Sequence, residues 1–255
     1  MSRIDAAFSG NRKALIGYIT VGYPDIEATP NIVHLLVENG CDIIELGIPF
    51  SDPLADGPVI QDSSFKALQQ GTTLEKCLEV ARNLRQSINT PLVFMGYYNP
   101  ILRYGLEPFC RDCSQAGVDG LIVPDLPPEE GYELEKLSRS SGIDLIYLLA
   151  PTSEDYRIEL VCQKSSGFIY LVSITGVTGS SAELSLELDD FVNRVRKHTS
   201  KPLCVGFGIK TPQQAKRVAG VADGIIVGSQ IIKTIEMDPS LEQMKALVRD
   251  LRAAL

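Results

Sequence analysis

Glu45 is a carboxylate inside an otherwise apolar segment, "CDIIELGIP" (41–49), which has the pattern of a strand buried on both faces. Burial disfavours the carboxylate anion and raises its pKa, so such a group can exchange a proton near neutral pH. The alternative is a buried ion pair, but the adjacent apolar segments carry no lysine or arginine partner. Pro49, Pro53 and Pro58 stiffen the end of this segment and the loop after it. The loop holds two more carboxylates, and the local pattern does not rank Asp52 against Asp56 as the second acid.

Three glycine-rich loops could bind a phosphate group. They follow consecutive apolar segments, as "SITGVTGSSAE" (173–183), "VGFGIKTPQQ" (205–214) and "VGSQIIKTI" (227–235). Glycine lets backbone N–H groups approach an anion, and a helix N-terminus favours negative charge. The first loop could also fold over a ligand as a lid. Alternatively, these glycines serve only tight strand-to-helix turns.

Eight short apolar, β-branched segments alternate with helical patterns along the chain. This alternation predicts an α/β fold, a single (β/α)₈ TIM barrel over residues 1–255, in which catalytic groups lie at the C-terminal ends of the strands. We expect an N-terminal helix at "RIDAAFSG" and extra helices after strands 2 and 8. A doubly wound open sheet is the alternative, but GxGxxG is absent after the first strand. The segments begin at residues 14, 41, 91, 120, 144, 168, 202 and 223.

The composition excludes several function classes. With 24 basic and 32 acidic residues the net charge is −8, which argues against nucleic acid or an anionic membrane as partner. No apolar run approaches the ~20 residues of a transmembrane helix, and the N-terminus has no apolar signal region. The six cysteines, including "CRDC" (110–113), and two histidines do not make a metal site, so we expect reduced thiols and a cytoplasmic protein.

The segment "IIELGIPFSDPLADGPVIQ" (43–61) resembles the signature of the tryptophan synthase alpha chain family. The resemblance continues through "GYYNPI", "VPDLPPEE", "YLVSITGVTG", "GFGIKTPQQ" and "VGSQIIK". It implies a barrel subunit that cleaves indole-3-glycerol phosphate to indole and glyceraldehyde 3-phosphate without a metal or organic cofactor of its own. It also implies a partner, a pyridoxal-phosphate-dependent beta chain, in an α₂β₂ assembly.

The resemblance also implies roles for single residues. Glu45 matches the acid that protonates indole C3, and Asp56 matches the carboxylate opposite the indole N–H. The other matched positions line the substrate: Tyr18 and Ile60 as walls around the indole, Tyr170 near the glutamate, Thr178 and Gly179 in the closing loop, and Gly206, Phe207, Gly208, Gly228 and Ser229 as the phosphate cradle.

Two other functions compete with this expectation. One is a catalytically weak regulatory subunit that activates the beta chain, which an intact pair of carboxylates disfavours. The other is a different phosphate-binding barrel enzyme, such as a sugar-phosphate epimerase or isomerase, which would normally need a metal or other acid–base residues. The proline-bearing segments "PFSDPLADGP" and "YYNPILRYG", interpreted as loops with exposed apolar residues, are where we expect the partner to bind.

Overall fold

A parallel β-barrel forms the centre of the molecule. A computed structural model describes residues 2–10, 12–172, 181–206 and 208–255, with the side chains of 181–186 excluded. Within these ranges the strand segments are β1 (Ala14–Thr20), β2 (Ile43–Gly47), β3 (Leu92–Met95), β4 (Gly120–Ile122), β5 (Asp144–Ile146), β6 (Leu148–Leu149), β7 (Ile169–Val172), β8 (Leu203–Gly206) and β9 (Gly224–Val227).

The strand order is β5-β4-β3-β2-β1-β9-β8-β7-β6, and every pair is parallel. The two terminal segments of this order are consecutive in the chain and separated only by Tyr147, so the sheet closes almost completely. The predicted fifth strand is divided because the Tyr147 backbone N–H donates to the Ser165 hydroxyl (3.1 Å) instead of to a neighbouring strand. The prediction of a TIM-type barrel is confirmed.

Helices surround the barrel, and the predicted extra helices are present. Short α1 covers the N-terminal end of the barrel, where its fully buried Ile4 packs against Gly120. Pro58–Gln69 (α3) precedes Leu74–Arg85 (α4) after β2, and Ser229–Met237 (α11) precedes Glu242–Ala253 (α12) after β9, the eighth strand of the prediction. The helices are α1 (Arg3–Ala7), α2 (Ala28–Glu38), α3 (Pro58–Gln69), α4 (Leu74–Arg85), α5 (Tyr98–Tyr104), α6 (Leu106–Ala116), α7 (Tyr132–Ser140), α8 (Asp155–Lys164), α9 (Ser181–Arg196), α10 (Pro212–Ala219), α11 (Ser229–Met237) and α12 (Glu242–Ala253).

The interpretation of "YYNPILRYG" as a loop is wrong, because residues 98–104 form helix α5. Pro100 lies in the first turn, where a backbone N–H has no partner within the helix and its absence costs little. Ile101 is buried, whereas Leu102 is 54% exposed. Only part of this segment is therefore available to a partner.

The N-terminal end of the barrel is held by a repeated polar contact. An aspartate accepts a hydrogen bond from the first backbone N–H of a neighbouring strand or from the next N–H along it, and it also pairs with an arginine. The pairs are Asp42 with Arg252, Asp119 with Arg85, and Asp223 with Arg196. These buried and half-buried charges are neutralised in place, which leaves the opposite end of the barrel for chemistry.

The cysteines of the chain lie in its interior. All six cysteines are free and buried, including Cys110 and Cys113 of "CRDC", which face the core from α6. No group of three or more metal-ligating side chains occurs among the described residues. In the same residues, no helix combines the length and apolarity needed to cross a bilayer.

Candidate active site

A cavity of about 300 Å³ opens at the C-terminal ends of the strands. Its walls are formed by residues of β1, β2, β3, β7 and β9 and of the segments that follow β2, β8 and β9. Its lining consists of Tyr18, Glu45, Asp56, Gly57, Pro58, Val59, Ile60, Met95, Tyr170, Gly208, Ile209, Lys210, Ile226, Gly228, Ser229 and Lys233.

Glu45 lies in the middle of β2 and is only 1% exposed. Within the described residues, its buried Oε2 atom has no hydrogen-bond partner, and no lysine or arginine forms an ion pair with Glu45. Burial, and secondarily the charge of Asp56, raise the pKa of Glu45 to about 8. The ion-pair alternative is therefore excluded for the described residues, and the carboxyl group is protonated at neutral pH.

Asp56, not Asp52, supplies the second carboxylate. Asp52 is exposed, whereas Asp56 is half-buried and lines the cavity, and its Oδ1 atom has no partner among the described residues. Burial raises the pKa of Asp56 to about 6, and a hydrogen bond from Tyr97 Oη to Oδ2 (3.0 Å) works in the opposite direction. Tyr97 Oη in turn accepts the backbone N–H of Ala55 (3.0 Å), which joins the loop to the end of β3.

Removing the Tyr97 hydroxyl should raise the pKa of Asp56. In Tyr97→Phe the carboxylate loses a donor that favours its anion, so we expect the Asp56 pKa to rise by about one pH unit. A ¹³C NMR titration of the side-chain carboxyl groups measures this value. Tyr98→Phe is the matched control, because the contact of Tyr98 in this region is made by its backbone N–H to Asp125. An unchanged Asp56 pKa in Tyr97→Phe would contradict the assignment of this bond.

Two buried tyrosines form walls of the cavity, and glycines make room for them. A Cβ atom added at Gly47 would lie 2.2 Å from Tyr18 Oη, and one added at Gly206 would lie 2.3 Å from Tyr170 Oη. The Tyr18 ring thus occupies the space beside Gly47. Burial and the nearby carboxylates raise the pKa of both tyrosines well above its usual value, so both hydroxyl groups stay protonated.

The structure brings most of the predicted site residues into one place. Eight of them line the cavity: Tyr18, Glu45, Asp56, Ile60, Tyr170, Gly208, Gly228 and Ser229. Gly206 ends β8 beside the Tyr170 ring, outside the lining residues. Thr178, Gly179 and Phe207 lie outside the described residues, as does most of the predicted closing loop.

Three residues near the site were not predicted from the sequence. Lys210 and Lys233 line the cavity. Tyr97 is not one of the lining residues, but its hydroxyl group donates a hydrogen bond to the Asp56 carboxylate. Lys210 lies within the glycine-rich loop 205–214, two residues after Gly208, so its position in the sequence could have identified it. Tyr97 and Asp56 are 41 residues apart, and no local pattern connects them.

The fold and the cavity define the class of protein: a (β/α)₈-barrel enzyme with its site at the C-terminal rim. The family model for the tryptophan synthase alpha chain matches residues 4–254. The chain therefore belongs to the tryptophan synthase alpha chain family, lyase-type catalytic subunits whose known reaction is the cleavage of indole-3-glycerol phosphate.

Individual relatives agree with this assignment over their full length. The tryptophan synthase alpha chain of Dehalococcoides mccartyi is 60% identical over 255 residues, covering 100% of both chains. That of Geobacter sulfurreducens is 48% identical over 100% of this chain and 99% of its own. Among solved structures, tryptophan synthase subunit alpha from Legionella pneumophila has a TM-score of 0.92 at 38% identity, covering 100% of this chain and 98% of that one.

Proposed function

We propose that Glu45 and Asp56 together carry out the cleavage of indole-3-glycerol phosphate in this cavity. One observation carries the assignment: a buried glutamic acid and a half-buried aspartate line the same cavity. Burial raises the pKa of Glu45 to about 8 and that of Asp56 to about 6. Between these two values Glu45 holds a proton and Asp56 carries a negative charge. Pairs of carboxyl groups whose environments separate their pKa values divide acid and electrostatic roles in this way.

The first step is protonation of the ring. Glu45 gives its proton to indole C3, and the positive charge that results is shared with the ring nitrogen. The Asp56 carboxylate, whose Oδ1 atom has no partner within the described part of the chain, faces the N–H and stabilises that charge. An anion positioned in a site of low dielectric contributes most where charge develops in the transition state.

The second step breaks the carbon–carbon bond. The Glu45 carboxylate, now an anion, takes the proton of the C3′ hydroxyl group while the bond from C3′ to indole C3 breaks. The C3′ carbon becomes the aldehyde of glyceraldehyde 3-phosphate, and the electron pair of the broken bond returns to the ring to give indole. Glu45 ends protonated, as it began, so one residue serves as acid and then as base.

The remaining lining residues hold the two ends of the substrate. Tyr18, Ile60 and Tyr170 form the walls of the indole end: the two tyrosines are buried, Ile60 is half-buried, and all three line the cavity with the carboxyl groups. Gly208, Gly228 and Ser229 offer backbone N–H groups at the phosphate end, with Ser229 beginning helix α11. Fixing the phosphate several ångströms from the reacting bond lets remote binding energy position that bond.

We further propose that the chain works with a beta chain in an α₂β₂ assembly in the cytoplasm. Leu54 is 84% exposed and Leu102 is 54% exposed, and both belong to segments that follow strand ends on the cavity side. Exposed apolar side chains there suit a protein interface. The pyridoxal phosphate of the assembly would belong to the beta chain, since the steps above use only proton transfers by this chain. The six free thiols fit a reducing compartment.

An indole-release assay tests the proposal. The purified chain is incubated with indole-3-glycerol phosphate, alone and with the beta chain, and both indole and glyceraldehyde 3-phosphate are measured. We expect equal amounts of the two products in each condition, with faster release in the complex. A chain that stimulates the beta chain but produces no indole would instead have the regulatory role, and the catalytic proposal would fail.

A further inference from the structure

We propose that Lys210 and Lys233 form a cationic clamp for the phosphate dianion and thereby select phosphorylated substrates over uncharged ones. This inference rests on the proposed function, because it concerns the same cavity. The two lysines line the cavity together with Gly208, Gly228 and Ser229, the predicted phosphate cradle. They add full positive charges to a site for which the sequence predicted only backbone N–H groups.

Each lysine is attached close to the cradle. Lys233 lies four residues after Ser229 on α11, so both side chains lie on the same face of that helix. Lys210 follows Gly208 by two residues. Its backbone N–H donates to Gln214 Oε1 (2.8 Å), and Gln214 also forms the capping box of α10 with Thr211. The backbone of Lys210 is therefore fixed, and the residue lines the cavity while remaining exposed to solvent.

Neither ammonium group is engaged elsewhere in the described part of the chain. Other lysines of this acidic protein pair with carboxylates, as Lys66, Lys164 and Lys245 do. No such pair is found for Lys210 or Lys233 within the described residues. Two unpaired cations lining a single concave site favour an anionic ligand with more than one negative charge.

The cavity receives its two kinds of charge from different strands. Glu45 lies in β2 and Asp56 in the segment after it, whereas the lysines belong to the segments after β8 and β9. In the strand order, β1 separates β2 from β9. A ligand with an apolar ring and a terminal phosphate fits this polarity in a single orientation. Lysine is a flexible point charge, which suits a phosphate group that can rotate.

Substrate comparison tests the clamp. We would measure kcat and KM of Lys210→Gln, Lys233→Gln and the double variant with indole-3-glycerol phosphate and with its dephosphorylated form, indole-3-glycerol. We expect KM for the phosphorylated substrate to rise about tenfold for each lysine, with kcat changed less than KM, because a charge-assisted contact to the phosphate is lost. The dephosphorylated substrate should react equally well with all variants. Lys233→Arg should keep most of the selectivity.

Lys216→Gln is the matched control, since Lys216 is an exposed lysine on α10 that does not line the cavity. Equal losses with both substrates would show a structural role for the lysines and overturn the clamp, as would unchanged KM values. Binding of inorganic phosphate, followed by isothermal titration calorimetry, tests the clamp without turnover. If the unmodified chain releases no indole, the proposed function fails, yet weaker phosphate binding by the variants would still support the clamp.

Discussion

Indole release should fall by a factor of about 10²–10⁴ in Glu45→Gln, the usual contribution of a positioned general acid and base. Glutamine has nearly the same shape but neither gives nor takes a proton, so both proposed steps lose their proton carrier. Single-turnover indole formation at pH 7 measures the loss. Full activity in this variant would assign the proton transfer to another group.

The same substitution should stabilise the fold at neutral and alkaline pH. Because the folded-state pKa of Glu45 is about 8, well above the unfolded value of about 4.3, the folded chain binds more protons between these values. The free energy of unfolding therefore decreases as the pH rises through this window. Glutamine does not titrate and so removes this loss of stability, which by pH 7 is on the order of 3 kcal/mol.

Urea unfolding of the unmodified chain and of Glu45→Gln at pH 5, 7 and 8.5 measures the difference in the free energy of unfolding. The difference should be smallest at pH 5 and should reach a constant value above pH 8. Asp56, with its own pKa of about 6, gives both proteins a second, smaller decrease below neutral pH. A glutamine variant that is less stable at pH 8.5 would show that the folded protein stabilises the Glu45 anion. A variant that loses activity but gains stability shows that the loss of activity is not caused by unfolding.

Asp56→Asn should lower indole release by a factor of about 10²–10³, the cost of removing one preorganised electrostatic contact to the transition state. The pH profile gives a sharper test. The unmodified chain should be most active between the pKa values of about 6 for Asp56 and about 8 for Glu45. In Asp56→Asn the acid limb near pH 6 should disappear. The alkaline limb should move to lower pH, because the anion that helps to raise the pKa of Glu45 is gone.

Asp52→Asn is the control for this prediction. Asp52 belongs to the same loop and has the same side chain, but it is exposed to solvent. Its substitution should leave the rate and both limbs of the profile close to those of the unmodified chain. Equal losses in the two variants would mean that the loop needs both charges for its structure, and the specific role of Asp56 would be lost.

The alternation of strands and helices, apart from helix α5, and the buried position of Glu45 were determined by the sequence alone. Runs of apolar, β-branched residues repeat along the chain, and parallel strands buried on both faces require such runs. A carboxyl group within one of them must lie in the core or at a site. The glycine-rich loops after the last strands could also be predicted from the sequence, because glycine at the end of a strand is a local signal.

The contacts between distant segments were decided by the tertiary structure. Asp56 is distinguished from Asp52 by Tyr97, which lies 41 residues away in the chain. Lys233 became part of the site through the position of α11, and the space at Gly47 was taken by a ring from the neighbouring strand. Periodic patterns report which face a residue occupies within its own element. They carry no information on which side chain from another element meets it, since that depends on how the barrel closes.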